Sequence, residues 1–73
     1  MTTKTQPRFM DALEYSMRSI GRDLIRKRRS AGLTQATVAR RAGIRAETLS
    51  RLENGHGNPT VATIRRILEA LAK

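Results

Sequence analysis

The stretch 32-GLTQATVARRAGIRAETLSRLENG-55 sets four arginines, two glutamates and a glutamine among short apolar residues, with Gly43 near its middle. Thr34 is a good N-cap, since its hydroxyl can accept from an otherwise unpaired N–H of the first helical turn. The helix it opens carries Val38, Ala39 and Ala42 on an inner face and ends at Gly43, after about two turns. Another helix runs from about Arg45 to Glu53 and stops at 54-NG-55, a strong terminator. Two short helices joined by a tight connection built around a glycine make a helix-turn-helix. Glycine suits that connection because it tolerates positive φ.

A helical wheel at about 100° per residue sorts the second of these helices. Leu49, Leu52, Glu53 and Arg45 gather on one side, and Glu47, Ser50, Arg51 and Asn54 on the other, with Thr48 at the flank. The leucines belong in a core, so Glu47, Ser50 and Arg51 point outward together. All three are residue types that read bases. Arg pairs bidentately with guanine, Glu accepts from the cytosine amine, and Ser contacts several bases. Glu47 and Arg51 also stand four apart with the acid first, a spacing that favours an ion pair within the helix. Such a pair in the free protein does not exclude base contact in a complex.

Outward from this centre the chain is helical. Residues 1–8 have no periodic apolar pattern and read as a flexible tail. Phe9, Leu13 and Met17 fall on one helix face, with Asp11 a candidate cap, and residues 9–19 form an N-terminal helical extension. Ile20, Leu24 and Ile25 continue the spacing to an end near Gly32. Gly21 leaves open whether 9–31 is one helix or two. After a turn at 56-HGNP-59, Thr60 caps a last helix with Val61, Ile64, Ile67, Leu68 and Leu71 at helical spacing. No segment alternates as a strand does, so the expected fold is all-α, a compact four- to five-helix bundle with an aliphatic core. A single domain, 20–73, carries the helix-turn-helix.

The chain has 73 residues and a net charge of +9. At this size only about 60% of the unfolded surface is buried, so the core is small. Residues 18–51 hold ten Lys and Arg against Asp23 and Glu47, which places +8 of that charge in the middle of the chain. Such a centre suits a polyanion, either nucleic acid or an anionic membrane surface. The basic residues spread over three expected helices, whereas a membrane-surface helix concentrates them beside one broad apolar face. There is no cysteine, no apolar run of about 20 residues for a membrane span, and no signal-peptide core in 1-MTTKTQPRF-9. A cytoplasmic location is the expectation. His56 is the one histidine, and Glu53-x-x-His56 lacks the three or four ligands a zinc site wants. No catalytic set, metal or cofactor is expected.

The residues 33-LTQ-35, Ala39, Gly43-Ile44 and 49-LSRLENG-55, at this spacing, resemble the Cro/repressor-type (xenobiotic-response-element-type, lambda-repressor-like) helix-turn-helix regulators, from about Ile20 to Leu71. The resemblance implies sequence-specific binding of double-stranded DNA, as a repressor or autorepressor. Arg45, Ala46, Glu47, Ser50 and Arg51 match positions that enter the major groove. Gln35 matches a position that contacts the DNA backbone, and the loop after Asn54 one that runs along phosphates. With them, Thr34, Arg40, Arg41, Thr48 and Asn54 are candidate backbone contacts. Arg28 and Glu53 match a structural ion pair between the first and third helices, and the wheel independently places Glu53 inward. Two positions depart from the pattern. Arg45 stands where a capping Ser or Thr is common, and Ala46 offers only an apolar contact.

One module reads a few base pairs, so a homodimer on a two-fold site is expected, with no small-molecule ligand. The stripe Phe9, Leu13 and Met17 fits core packing or a dimer or partner-protein surface. The latter would suit an antitoxin that binds both operator DNA and a toxin.

Overall fold

The computed structural model describes residues 9–72, with side chains from Ser16 onward. The tail at 1–8 and the side chains of Phe9 and Leu13 therefore lie outside the described residues. Four helices follow one another: α1 (Phe9–Ser30), α2 (Gln35–Ala42), α3 (Ala46–Glu53) and α4 (Val61–Leu71). No strand occurs among the described residues. The bundle is all-α and takes the lower of the two helix counts expected.

The question left open at Gly21 resolves to one helix of 22 residues. Because α1 already includes Phe9, Asp11 lies within its first turn and not at its cap. Gly21 is buried, and its role is contact. A Cβ placed on it would lie 2.5 Å from the Leu52 carbonyl oxygen and 2.7 Å from that of Glu53. The absent side chain lets the α1 backbone close directly onto the last turn of α3. A glycine here costs about 1 kcal/mol in helix propensity relative to alanine, and the close approach offsets it.

Helix ends follow local chemistry. Thr34 and Thr60 sit in extended conformation, and each hydroxyl accepts from the N–H three residues on, Thr37 and Thr63, at 3.1 Å. α1, α2 and α3 all close in the same way. The Gly43 N–H donates to Arg40 O and the Ile44 N–H to Ala39 O, and the same pair of bonds recurs at Gly32–Leu33 and Gly55–His56. This is the Schellman closure, which needs a left-handed residue. Gly43, at φ 72°, supplies it between α2 and α3. Lys27, Arg28 and Arg29 in the last turn of α1 oppose the negative end of its dipole.

α2 packs against both α3 and α4, while α1 lies along α3. Leu24, Val38, Ala39, Ala42, Leu49, Leu52, Ile67 and Ala70 form the core, with Met17, Ile20, Leu33, Ile44 and Leu71 packed on its edge. Fully burying a side chain such as Leu49 or Ile67 stabilises by about 1.5–3 kcal/mol. Two open points are settled. On α4 the inner face is Ile67 and Ala70, whereas Val61 is 75% and Leu68 42% exposed. Two apolar stripes share that helix, and a wheel alone cannot say which one the core takes. Met17, for which core packing and a dimer or partner surface were both open, packs against the core.

Gly21→Ala tests the α1–α3 contact. By helix propensity the change stabilises. Here it should destabilise by about 1–3 kcal/mol, the usual cost of overpacking, because the obstacle is backbone. Urea unfolding followed by circular dichroism reads the sign.

Candidate nucleic-acid interface

Three residues, Gly43–Arg45, separate α2 from α3. The inner face of α3 is fixed by Leu49, Leu52 and Glu53, all at or below 5% exposure. Glu53 is the one buried charged residue among those described. Arg28 meets it as a fork, Nε to Oε2 at 2.7 Å and Nη2 to Oε1 at 3.1 Å. The Gln35 Nε2 donates to the same Oε1 at 2.8 Å, and the Arg28 Nη1 donates to the Leu33 carbonyl at 3.0 Å. One carboxylate thus ties the end of α1, the loop before α2, the first residue of α2 and the last of α3. The hydrogen bonds to Glu53, aided by its charge, hold the Arg28 guanidinium above its already high ordinary pKa against the opposing effect of burial. The Arg28–Glu53 pairing expected from the sequence is in place, with Gln35 added to it.

That addition bears on Gln35 itself. Its side chain is half-buried and its amide nitrogen is directed inward to Glu53. What α2 presents at this end is backbone. The N–H groups of Gln35 and Ala36 precede the first helical bond, Val38 N–H to Thr34 O, and such groups are suited to an anion. Thr34 is exposed, but its hydroxyl is spent on Thr37. Arg40 and Arg41 are exposed in the last turn of α2.

Outside, Ala46, Glu47, Thr48 and Arg51 are exposed and Ser50 is half-buried. Glu47 and Arg51 do not close the pair their spacing allows. The ion pairs among the described residues are Arg28–Glu53 and the exposed Asp23–Arg26. Arg45 needs correcting in two respects. It is the residue before α3 and not its first, and it is exposed where the wheel placed it inward, because its backbone is extended (φ −77°, ψ 148°). Its side chain makes no capping bond, so the missing cap seen in the sequence is real. Glu47 in the first turn partly compensates by facing the positive end of the helix. Asn54 is exposed and its Nδ2 donates to the Ser50 carbonyl at 2.9 Å.

Beside α3 runs an open groove of about 420 Å³, with Glu47, Thr48 and Arg51 on one wall and Asn58, Pro59, Thr60 and Thr63 on the other. It is rich in hydroxyl, amide and guanidinium donors. Sequence reasoning missed one neighbour of this region. A Cβ on Gly55 would lie 2.9 Å from the Arg18 Cγ, so the stem of Arg18 lies across the turn that ends α3. Arg18 itself is exposed. The signal was faint, since only a helix running unbroken through Gly21 brings Arg18 there. Arg26 and Lys27, by contrast, adjoin Leu68, Leu71 and Ala72 at the end of α4. The basic centre of the sequence is therefore divided between two regions. His56 is exposed, and no group of three or more His, Cys, Asp or Glu among the described residues could hold a metal. No described helix is long and apolar enough to cross a membrane.

Residues 24–73 match the helix-turn-helix family, and the chain belongs to it. A relative from Sinorhizobium fredii, described as the uncharacterized HTH-type transcriptional regulator y4dJ, is 44% identical over 52 residues, which cover 71% of this chain and 68% of the relative. No solved structure matches the chain.

Glu53→Ala should cost about 3–5 kcal/mol, because it strands the half-buried Arg28 and the Gln35 amide. Arg28→Lys keeps the charge but cannot form the fork, and it should lose much of the same energy. Chemical denaturation of the two variants measures this. A loss under about 1 kcal/mol for Glu53→Ala would show the pair to be no stronger than a surface ion pair.

Proposed function

We propose that the protein regulates transcription by binding a specific sequence in double-stranded DNA, with α3 in the major groove and α2 crossing the backbone. The outer face of α3 carries this reading. Glu47 and Arg51 project from a helix whose inner face is fully committed, and neither side chain makes a hydrogen bond or ion pair among the described residues. Two charged side chains left free on a rigid helix are suited to base edges. Arg45, Ala46 and Ser50 complete the base-facing set in this reading, with Ala46 placed to meet a thymine methyl. The family membership supports it, as does the relative described as a transcriptional regulator.

Phosphates would be held by the open end of α2 at Gln35, by Arg40 and Arg41, and by Thr48 and Asn54 near the groove. Thr34 contributes through its cap, which fixes that open end in place. These contacts carry no sequence information, but they set register and supply the non-specific affinity. One α3 spans only a few base pairs, so we further propose that two copies bind a two-fold site with half-sites about 34–36 Å apart. Occupying the duplex is enough to exclude another protein from the same bases. A repressor, acting on its own gene or another, is the regulatory sense we assign.

Selection of bound duplexes from a randomised library at about 0.15 M salt should enrich an inverted repeat. Binding without enrichment would leave only phosphate attraction and end the reading of sequence specificity. On the enriched site, Arg51→Ala should cost about 1–3 kcal/mol and relax preference at one base pair. Arg40→Ala should instead weaken all duplexes alike and lower the salt slope by about one.

A further inference from the structure

α1 begins at Phe9, ahead of the residues that match the helix-turn-helix family, 24–73. Arg18, in that leading part, meets the turn that ends α3. A Cβ on Gly55 would lie 2.9 Å from the Arg18 Cγ and 3.2 Å from its Cα, so α1 and this turn are in direct contact. Gly55 stands at φ 82°, and the N–H groups of Gly55 and His56 close the turn onto Leu52 O and Arg51 O at 3.0 and 2.8 Å. The Arg18 stem is thus held against a fixed turn, while the residue as a whole is exposed. Because α1 runs unbroken through Gly21, the guanidinium is carried by a helix and not by a loop.

No acid claims this cation among the described residues. Glu53 is taken by Arg28 and Gln35, and Asp23 by Arg26. Glu47 stands in the first turn of α3, at its other end. Glu69 stands near the end of α4, which meets the other end of α1. In sequence Glu14 is four residues before Arg18, but a pair at that spacing on a helix surface is weak and does not withhold a guanidinium from a phosphate. Arg51, exposed in the last turn of α3, adds to the positive charge at this end.

We propose that Arg18 binds a DNA phosphate at the edge of the major groove, and that the part of α1 preceding the matched residues takes part in DNA binding through it. The proposal rests on the reading of α3 as the helix in the groove. A helix of eight residues is about 12 Å long, close to the width of the major groove. With its first residues at the bases, its last turn reaches the sugar-phosphate wall, and Arg18 lies across that turn. A guanidinium suits a phosphate there, since its planar fork matches two phosphate oxygens. The contact reads no base. It adds affinity on any sequence, and because the Arg18 stem bears on Gly55 it sets how closely the end of α3 approaches the strand.

Arg18→Met tests this, because it keeps the stem on Gly55 and removes the charge. The full chain carrying it should keep its circular dichroism spectrum and thermal midpoint, and should enrich the same duplex as wild type. Its affinity at about 0.15 M salt should fall about fivefold on every sequence, the counterion contribution of one phosphate, and the slope of log affinity against log salt should drop by about 0.9. Arg18→Lys should hold the wild-type slope. Lys27→Ala, an equal loss of charge on the opposite side of α1, should change neither quantity, since at that salt charges interact within about 8 Å. Ethylation interference should show one phosphate, beside the end of α3, whose modification weakens wild-type binding and leaves that of Arg18→Met unaffected. An Arg18→Met slope equal to wild type, on a duplex that wild type enriches, overturns the inference and leaves the DNA reading standing. Equal losses for Arg18→Met and Lys27→Ala overturn it too, because bulk charge alone would explain both. If wild type enriches no duplex, the DNA reading falls and the inference with it.

Discussion

The fold turns on one buried carboxylate. Glu53 is the last residue of α3, and three nitrogen donors from Arg28 and Gln35 converge on it. A charge this far from water is tolerated only when its partners are near ideal. The arrangement satisfies that condition, and no buried side-chain polar atom among the described residues lacks a partner. Arg28 and Gln35 come from different helices, so the carboxylate fixes their mutual orientation. The fork sets the roll of α1 against α3, Arg28 Nη1 pins the loop at Leu33, and Gln35 sets where α2 begins. The helix-turn-helix angle is thus set at its closed end, away from the turn at Gly43.

Gly21 acts beside this lock. Without a side chain it lets α1 reach the carbonyls of Leu52 and Glu53 themselves. Backbone contact and ion pair meet at the same turn of α3, one limiting distance and the other rotation. Leu49 and Leu52 then seat the helix on the core. The hydrophobic contacts are not specific enough to do this alone, because small aliphatic residues pack with comparable energy in several registers.

Much of this was legible in the sequence. Thr34 and Thr60 as caps, Gly32, Gly43 and Asn54-Gly55 as stops, and Val38, Ala39 and Ala42 as an inner face are all local chemistry, and local chemistry prevailed. The inward turn of Glu53 could be read because leucines at 49 and 52 leave position 53 no other side. What could not be read depended on distant parts of the chain. Gly21 left one helix or two open, since its contact lies more than thirty residues away. Gln35 was expected at the DNA backbone by resemblance, and only the position of Glu53 shows where its amide nitrogen points. On α4 a single helical period fitted both apolar stripes, and the choice fell to α2, which Ile67 and Ala70 meet. Arg45 was misplaced by one residue because a helix lacking a side-chain cap does not mark its own start.

The division of labour on α3 has an evolutionary consequence. Every bond that holds the helix in place uses its inner residues or its final turn. The side chains of Glu47 and Arg51 are exposed and make no hydrogen bond or ion pair among the described residues. Mutations at these outer positions can therefore accumulate without the stability loss that removes most variants from a population. In the DNA-reading role proposed for α3, a gene copy could acquire a new target through changes confined to the exposed side of eight residues, while the lock at Glu53 and the notch at Gly21 remain under constraint. Descendants of such a scaffold would diverge first in what they recognise and last in how they fold.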